Sequence, residues 1–217
     1  MLNFITRGRP AAFALAALLP VAAPLAGPVL APFGLTLVTP AHAQAADTEF
    51  VRGLGSRLTT VVNGPGSAAD KKAQVLPLLN QDVDVDGIGR FCLGRFWHTA
   101  TPAQQARYLT LFHQVLVNSI TGHLGDYKGV SIAVGQATAQ DGQTTVPTVI
   151  TRPGQASANV QWVISSASGS PKVVDVVAEG VSLSITQRND YSSYLGHNGG
   201  NIDALLSALT RQVSHAS

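Results

Sequence analysis

Residues 86–122 read as two amphipathic helices joined by His98-Thr99-Ala100-Thr101-Pro102, and every other segment has to be accommodated around them. In the first, Ile88, Phe91, Cys92, Phe96 and Trp97 recur at three- and four-residue spacing, a helical stripe of large side chains. The second opens on a strong start signal. Thr101 suits the cap position, Pro102 the first helical position, and Gln104 stands where a capping box needs it. Its apolar residues, Tyr108, Leu109, Leu111, Phe112, Val115, Leu116 and Ile120, cover more than one narrow face. Such a helix is wetted on only a small side.

Residues 1–43 have the character of a secretory signal peptide. Arg7 and Arg9 form a short basic region, and no further Lys, Arg, Asp or Glu occurs until Asp47. Ala41-His42-Ala43 supplies a small-x-small cleavage pattern, and Ala43-Gln44-Ala45 offers a second. The apolar run is long enough to keep a membrane anchor as the alternative. Pro20, Pro24, Pro28 and Pro32 interrupt it, which suits a cleaved leader better than a spanning helix. No Cys lies near the cleavage positions, which argues against a lipid-attached protein.

The predicted mature segment, residues 44–217, is long enough for one domain burying roughly 70% of its unfolded surface. The whole chain has 14 Lys and Arg against 12 Asp and Glu, and the leader's two arginines account for the excess. A neutral segment with no basic cluster beyond Lys71-Lys72 lacks the electrostatic footprint of a nucleic-acid binder, so no nucleic-acid partner is expected. The single cysteine, Cys92, precludes an internal disulfide and sits in the apolar stripe as a small core residue.

Around the central pair, residues 47–62 carry an apolar stripe with Asp47 as the expected cap, and Asn63-Gly64-Pro65-Gly66 ends that helix. Ser67 and Asp70 start another, which Pro77 should kink or shorten. After Gly122 the period changes. Residues 130–134 alternate, residues 144–151 are β-branched, and Pro147 there argues for an edge strand or a bulge. Residues 159–164 alternate again, and residues 172–186 read as one long strand bent at Glu179-Gly180. Two short helices, about 190–195 and 201–212, close the chain. The expected class is α+β: N-terminal and central helices on a curved antiparallel sheet of about four strands, with short C-terminal helices.

Candidate chemistry is sparse. Asp82-Val83-Asp84-Val85-Asp86-Gly87 begins like a calcium loop, but its twelfth position is Leu93 where a bidentate Glu is needed. Capping of a helix explains the acidic residues as well. Gly180-Val181-Ser182-Leu183-Ser184 lacks the last glycine of a nucleophile elbow. The histidines are scattered, and no nucleotide loop or metal-ligand spacing occurs, so neither a cofactor nor a metal is expected. Asp175 and Glu179, carboxylates on an apolar strand, could serve as a general base in a cone-shaped cavity or form structural ion pairs with Arg95, Arg152 or Arg188. A large apolar surface remains, and composition does not distinguish a filled core from a hollow one.

Two separated stretches carry a resemblance. Leu93-Gly94-Arg95-Phe96-Trp97-His98-Thr99-Ala100-Thr101-Pro102-Ala103-Gln104-Gln105 resembles the "LGRYWRTATPEQ" signature of the MlaC family, periplasmic phospholipid carriers also described as toluene-tolerance auxiliary proteins. Val173-Val174-Asp175-Val176-Val177-Ala178-Glu179-Gly180-Val181-Ser182-Leu183, then Arg188 and Tyr191-Ser192-Ser193, is similar to that family's "VYDVxVEGVSL…R.EFS". His98 stands where Arg is common, and Tyr191 where Phe is common, which leaves the lipid's identity open.

The resemblance implies a non-enzymatic carrier with an NTF2-like, MlaC-type fold and a lipid pocket between helices and sheet. It would shuttle glycerophospholipid in the periplasm, between the lipid-binding ring of an inner-membrane ABC transporter and an outer-membrane lipoprotein complex, maintaining outer-membrane asymmetry. A hopanoid-like lipid is the alternative ligand, and a small enzyme using Asp175 or Glu179 the alternative function. On that reading the acyl tails would meet Phe91, Phe96, Trp97, Leu109, Phe112, Leu116, Trp162, Val174, Val176 and Leu183. Tyr191 and Tyr194 would lie at the rim, and Arg152 would meet the phosphate.

Overall fold

A computed structural model describes residues 40–122 and 127–215. Four helices come first: α1 (Pro40–Asn63), α2 (Ala68–Asp82), α3 (Val85–Leu93) and α4 (Pro102–Thr121), with a short 3-10 turn, Gly94–His98, between the last two. Strands β1 (Ser131–Val134), β2 (Thr138–Gln140), β3 (Gln143–Thr151), β4 (Ala158–Ser165), β5 (Lys172–Ala178) and β6 (Val181–Ser182) follow. Helices α5 (Leu183–His197) and α6 (Ile202–His215) close the fold. The class is α+β, as expected.

The local start signals act as anticipated. Ser67 and Asp70 form a capping box on α2, and Thr101 and Gln104 form one on α4 with Pro102 in its first turn. Asp84 caps α3, accepting from the Gly87 amide at 2.9 Å. Pro77 does not shorten α2, which continues to Asp82 with the proline ring on its exposed side. Asp47 is not a cap. The Ala-rich residues before it are good helix formers, so α1 begins earlier and Asp47 lies buried inside it. Both cleavage positions expected from the sequence fall in the first turns of α1; residues 1–39 of the expected leader lie outside the described residues.

The signature around Gly94 is a corner. Gly94 ends α3 at φ 58°, ψ −132°, a region open essentially to glycine, and its amide reaches the carbonyls of Arg90 and Phe91. A methyl group there would stand 3.1 Å from the Arg188 guanidinium. Leu93 and Phe96 are driven into the core on either side, and Gln105 closes the corner by donating to the Trp97 carbonyl at 2.8 Å. Gly94→Ala is therefore expected to lower stability by about 1–3 kcal/mol, read as a fall in the urea midpoint at unchanged slope.

The sheet has six strands where about four were expected, antiparallel throughout, in the order β1-β3-β4-β5-β6, with β2 also on β3. β2 carries only exposed Thr138, Ala139 and Gln140, so no apolar alternation announces it. Pro147 lies inside β3, an interior strand. It is tolerated because β1 pairs with residues 148–151 and β2 with residues 143–145, leaving a gap opposite the proline where only its carbonyl is used, accepting from Gly135 at 2.8 Å.

The single long strand expected over residues 172–186 is instead a strand, a turn and a helix. Glu179 and Gly180 both have positive φ, 48° and 79°, the geometry of a two-residue hairpin turn. β6 then pairs for two residues before α5 begins. Two caps start α5: the Ser182 hydroxyl accepts from Ile185, and Asp175 on the neighbouring strand accepts from the Ser184 amide at 3.1 Å. Leu183 and Ile185 are thus helical and exposed, not sheet residues.

Three apolar clusters result. One is purely helical and includes Leu93, Phe96, Tyr108, Phe112, Tyr191, Leu195 and Leu206, so α5 and α6 cover the stripe of the central pair. A second lies between α1 and the sheet, built on Val51, Leu54, Val146, Ile164 and Val173. The third joins the far ends of α1, α2 and α4 through Val62, Val75, Leu79, Val117 and Val130. Val83 packs against all three, at the α2–α3 junction pinned to β5 by an Asp84 amide to Val173 carbonyl bond of 3.0 Å.

Candidate functional site

The sheet's inner face is apolar with a small polar tie. Val146, Trp162 and Val176 sit opposite one another across β3, β4 and β5. The Trp162 indole donates to the Thr148 hydroxyl at 3.1 Å, and that hydroxyl donates to the Val160 carbonyl at 2.8 Å, so neither polar group is stranded. Between Val163–Asp175 and Ile164–Val173 the register slips by one, leaving Val174 as the extra residue of a bulge in β5.

α1 covers this face. Phe50, Val51, Leu54 and Leu58 pack toward the sheet, and Gly55 allows close approach to β1, where an added Cβ would meet the Ile132 side chain at 3.5 Å. The two ends of α1 are held differently. At its C-terminal end Asn63 accepts from the Gly129 amide (2.7 Å) and donates to the Val130 carbonyl (3.0 Å), while Lys71 donates to the Val62 carbonyl (2.6 Å). The part over the sheet rests on side-chain packing and on the ion pair of Arg57 with Asp82 at the end of α2.

Two clefts flank this helix. One, about 360 Å³, lies between α1 and α2 and is lined by Ser56, Arg57, Thr60, Val61, Gln74 and Leu78. The other, about 320 Å³, lies between α1 and β1 and is lined by residues including Arg52, Gly55, Ser56, Asn63 and Ile132. Both volumes are at the lower end of ligand sites, roughly 300–1,000 Å³. Ser56 borders both.

None of the thirteen residues expected from sequence to touch lipid lines either cleft. Trp162 and Val176 pack at the edge of the cluster between α1 and the sheet, and Val174 is the half-buried bulge residue beside them. Phe96, Phe112 and Tyr191 are buried in the helical cluster, with Trp97, Leu109, Leu116 and Tyr194 packed at its edge. Tyr194 donates to the Ala204 carbonyl at 3.3 Å. Phe91 is 40% exposed beneath the Arg188 guanidinium, 4.8 Å away, and Leu183 is 46% exposed. Arg152 stacks on Tyr127 at 4.9 Å, just past the end of β3. Two groups thus emerge, one under α1 and one among the helices.

Asp175 is occupied by structure. One carboxylate oxygen accepts from Ser182 Oγ at 2.5 Å, and the other from the amides of Val176 and Ser184. Glu179 accepts from the Asn159 amide at 2.5 Å and braces the hairpin turn. Neither takes part in a salt bridge with the arginines weighed as partners. The three aspartates that resembled a calcium loop diverge as well. Asp82 pairs with Arg57, Asp84 caps α3, and Asp86 faces Arg90 at 3.8 Å.

Arg57 was not singled out from the sequence. It falls seven residues after Phe50 and four before Val61, so it interrupts the apolar stripe of α1. A cation at such a position was the available signal.

Helices laid over one face of an antiparallel sheet, with clefts along the covering helix, define an α+β fold. A family model described as MlaC protein matches residues 56–211, and the chain belongs to this family. Among its relatives is the toluene tolerance protein ttg2D of Pseudomonas putida, 25% identical over 175 residues that cover 80% of each chain. The fold is shared with a phospholipid-binding protein from Ralstonia solanacearum solved in complex with a phospholipid. The TM-score is 0.69 at 20% identity, covering 78% of this chain and 98% of that one.

Proposed function

We propose that this protein is a periplasmic lipid carrier that takes glycerophospholipid acyl chains into the apolar space between α1 and the sheet. The observation that carries the reading is the cover itself. α1 lies on an apolar sheet face, is flanked by clefts on both sides, and is tied by hydrogen bonds at its C-terminal end. Membership of the MlaC family and the phospholipid held by the Ralstonia solanacearum protein support the same reading. Two C16 tails left in water would cost on the order of 20 kcal/mol at roughly 0.8 kcal/mol per CH₂, so a carrier has to enclose them. Val51, Leu54, Val146 and Ile164 are already in contact and buried, so enclosing tails requires α1 to move away from the sheet.

The shuttle runs between the lipid-binding ring of an inner-membrane ABC transporter and an outer-membrane lipoprotein complex, after export and removal of residues 1–43. No helix among the described residues is long and apolar enough to cross a membrane, which accords with a carrier that moves between two membranes. The test is native mass spectrometry of protein purified from the periplasm, with lipid extraction to name the class. A stoichiometric glycerophospholipid is expected. Lipid-free protein that also ignores added phospholipid vesicles would contradict the reading, and an extracted hopanoid would replace the ligand.

A further inference from the structure

We infer that Arg57, oriented by Asp82, is the group that receives the lipid's phosphate at the α1–α2 cleft. The inference rests on the carrier reading and adds to it the headgroup's address. Arg57 Nη2 stands 2.8 Å from Asp82 Oδ2, and Arg57 Nε donates to the Gly53 carbonyl at 3.3 Å. Nε is therefore hydrogen-bonded and Nη2 ion-paired, while Nη1 has no acceptor among the described residues and the side chain lines the cleft. A guanidinium drawn to a buried carboxylate on one side with Nη1 left free can donate to an oxyanion.

The burial of the pair is lopsided. The Asp82 side chain is 5% exposed and that of Arg57 41%, so the carboxylate works from within while the cation faces the cleft. Asp82 Oδ2 is fully buried and accepts no well-directed hydrogen bond, so it depends on the arginine's charge. Around Arg57 the cleft has an amphiphile's polarity. Ser56, Thr60 and Gln74 are exposed at its rim, while Val61 and Leu78 supply apolar wall. Leu78 also packs against the apolar cluster under α1. A phosphodiester at Arg57 would thus have its tails directed past Leu78 toward the sheet. Arg152, expected from sequence in this role, stacks on Tyr127 and borders neither cleft.

The test compares phosphatidylglycerol with a diacylglycerol of identical chains, using the wild type and the double variant Arg57→Gln/Asp82→Asn. The double variant removes both charges together and leaves no buried carboxylate unpaired. Phosphatidylglycerol affinity should fall about tenfold or more, the size of a lost charge-assisted hydrogen bond, with diacylglycerol affinity unchanged. Arg57→Lys retains a cation beside Asp82 and should keep a preference for the phosphorylated lipid even if the double variant folds poorly. Equal phosphatidylglycerol binding by wild type and double variant overturns the assignment while leaving the carrier reading standing. Wild type that binds neither lipid overturns both. A third arm titrates inorganic phosphate alone: loss of its binding in the double variant, with phosphatidylglycerol unaffected, would assign the cleft to free phosphate and overturn the lipid assignment.

Discussion

Gly55→Cys/Ile132→Cys, once oxidised, is expected to take up phospholipid about a hundredfold or more slowly than its reduced form, with full recovery on adding a thiol reductant. The geometry is favourable. A Cβ built at Gly55 stands 3.9 Å from the Ile132 Cβ, within the range of about 3.5–4.5 Å found in disulfides. Gly55 lies in the half of α1 that packs over the sheet, and Ile132 lies in β1, so the bond fastens the cover to the edge of what it covers. Cys92 does not compete: burial pushes its thiol up to about 12, and it stays protonated in the helical core. Stopped-flow transfer of a fluorescent phospholipid from vesicles reads the rate in both redox states. Equal rates would mean that lipid enters without α1 leaving the sheet.

The second large effect concerns the helical core. Tyr108→Ala is expected to destabilise the protein by about 3–5 kcal/mol, and Tyr108→Phe by about 0.5–1.5 kcal/mol. The ring is fully buried, 5.8 Å from Phe112 and 6.1 Å edge-on from Tyr191, and its hydroxyl donates to the Gly89 carbonyl at 2.9 Å. The smaller change keeps the packing and removes only the hydroxyl's hydrogen bond to the Gly89 carbonyl. Burial also raises the pKa of Tyr108 and Tyr191, as it does that of Cys92. A group whose folded pKa is raised contributes fully below its unfolded value, about 8.5 for Cys and 10 for Tyr, and loses that contribution as pH rises further. The Tm should therefore decline above about pH 9. Urea unfolding of both variants, with a Tm–pH series on the wild type, checks these expectations.

These two regions show which parts of the fold were legible in the sequence. The start of α4 was, because Thr101, Pro102 and Gln104 solve the helix-end problem among themselves. The start of α5 was not, because one of its caps is Asp175, on a strand that meets it only in the folded chain. Residues 181–186 alternate as a strand would, and that tertiary bond overrides the pattern. Pro147 argued for an edge strand or a bulge, but β3 is interior and pairs with β4 without a slip there; the proline's place depends on the gap between β1 and β2.

The candidate site was legible in part for a similar reason. Trp162 and Val176 follow from strand alternation and do pack against the cluster between α1 and the sheet. Phe96 and Phe112 were recognisable as core residues, but periodicity does not say which surface they meet, and α5 and α6 cover them in place of the sheet. Arg57 depends on Asp82, a partner on another helix that no local pattern links to it.

A phospholipid carrying a photoreactive diazirine near the end of one acyl chain tests the central claim most directly. After illumination of the loaded protein, peptide mass spectrometry should place the label on Val51, Leu54, Val146 or Trp162, the residues that face each other between α1 and the sheet. Label confined to Phe96, Phe112 and Leu116 among the helices, or spread over the exterior, would contradict the account.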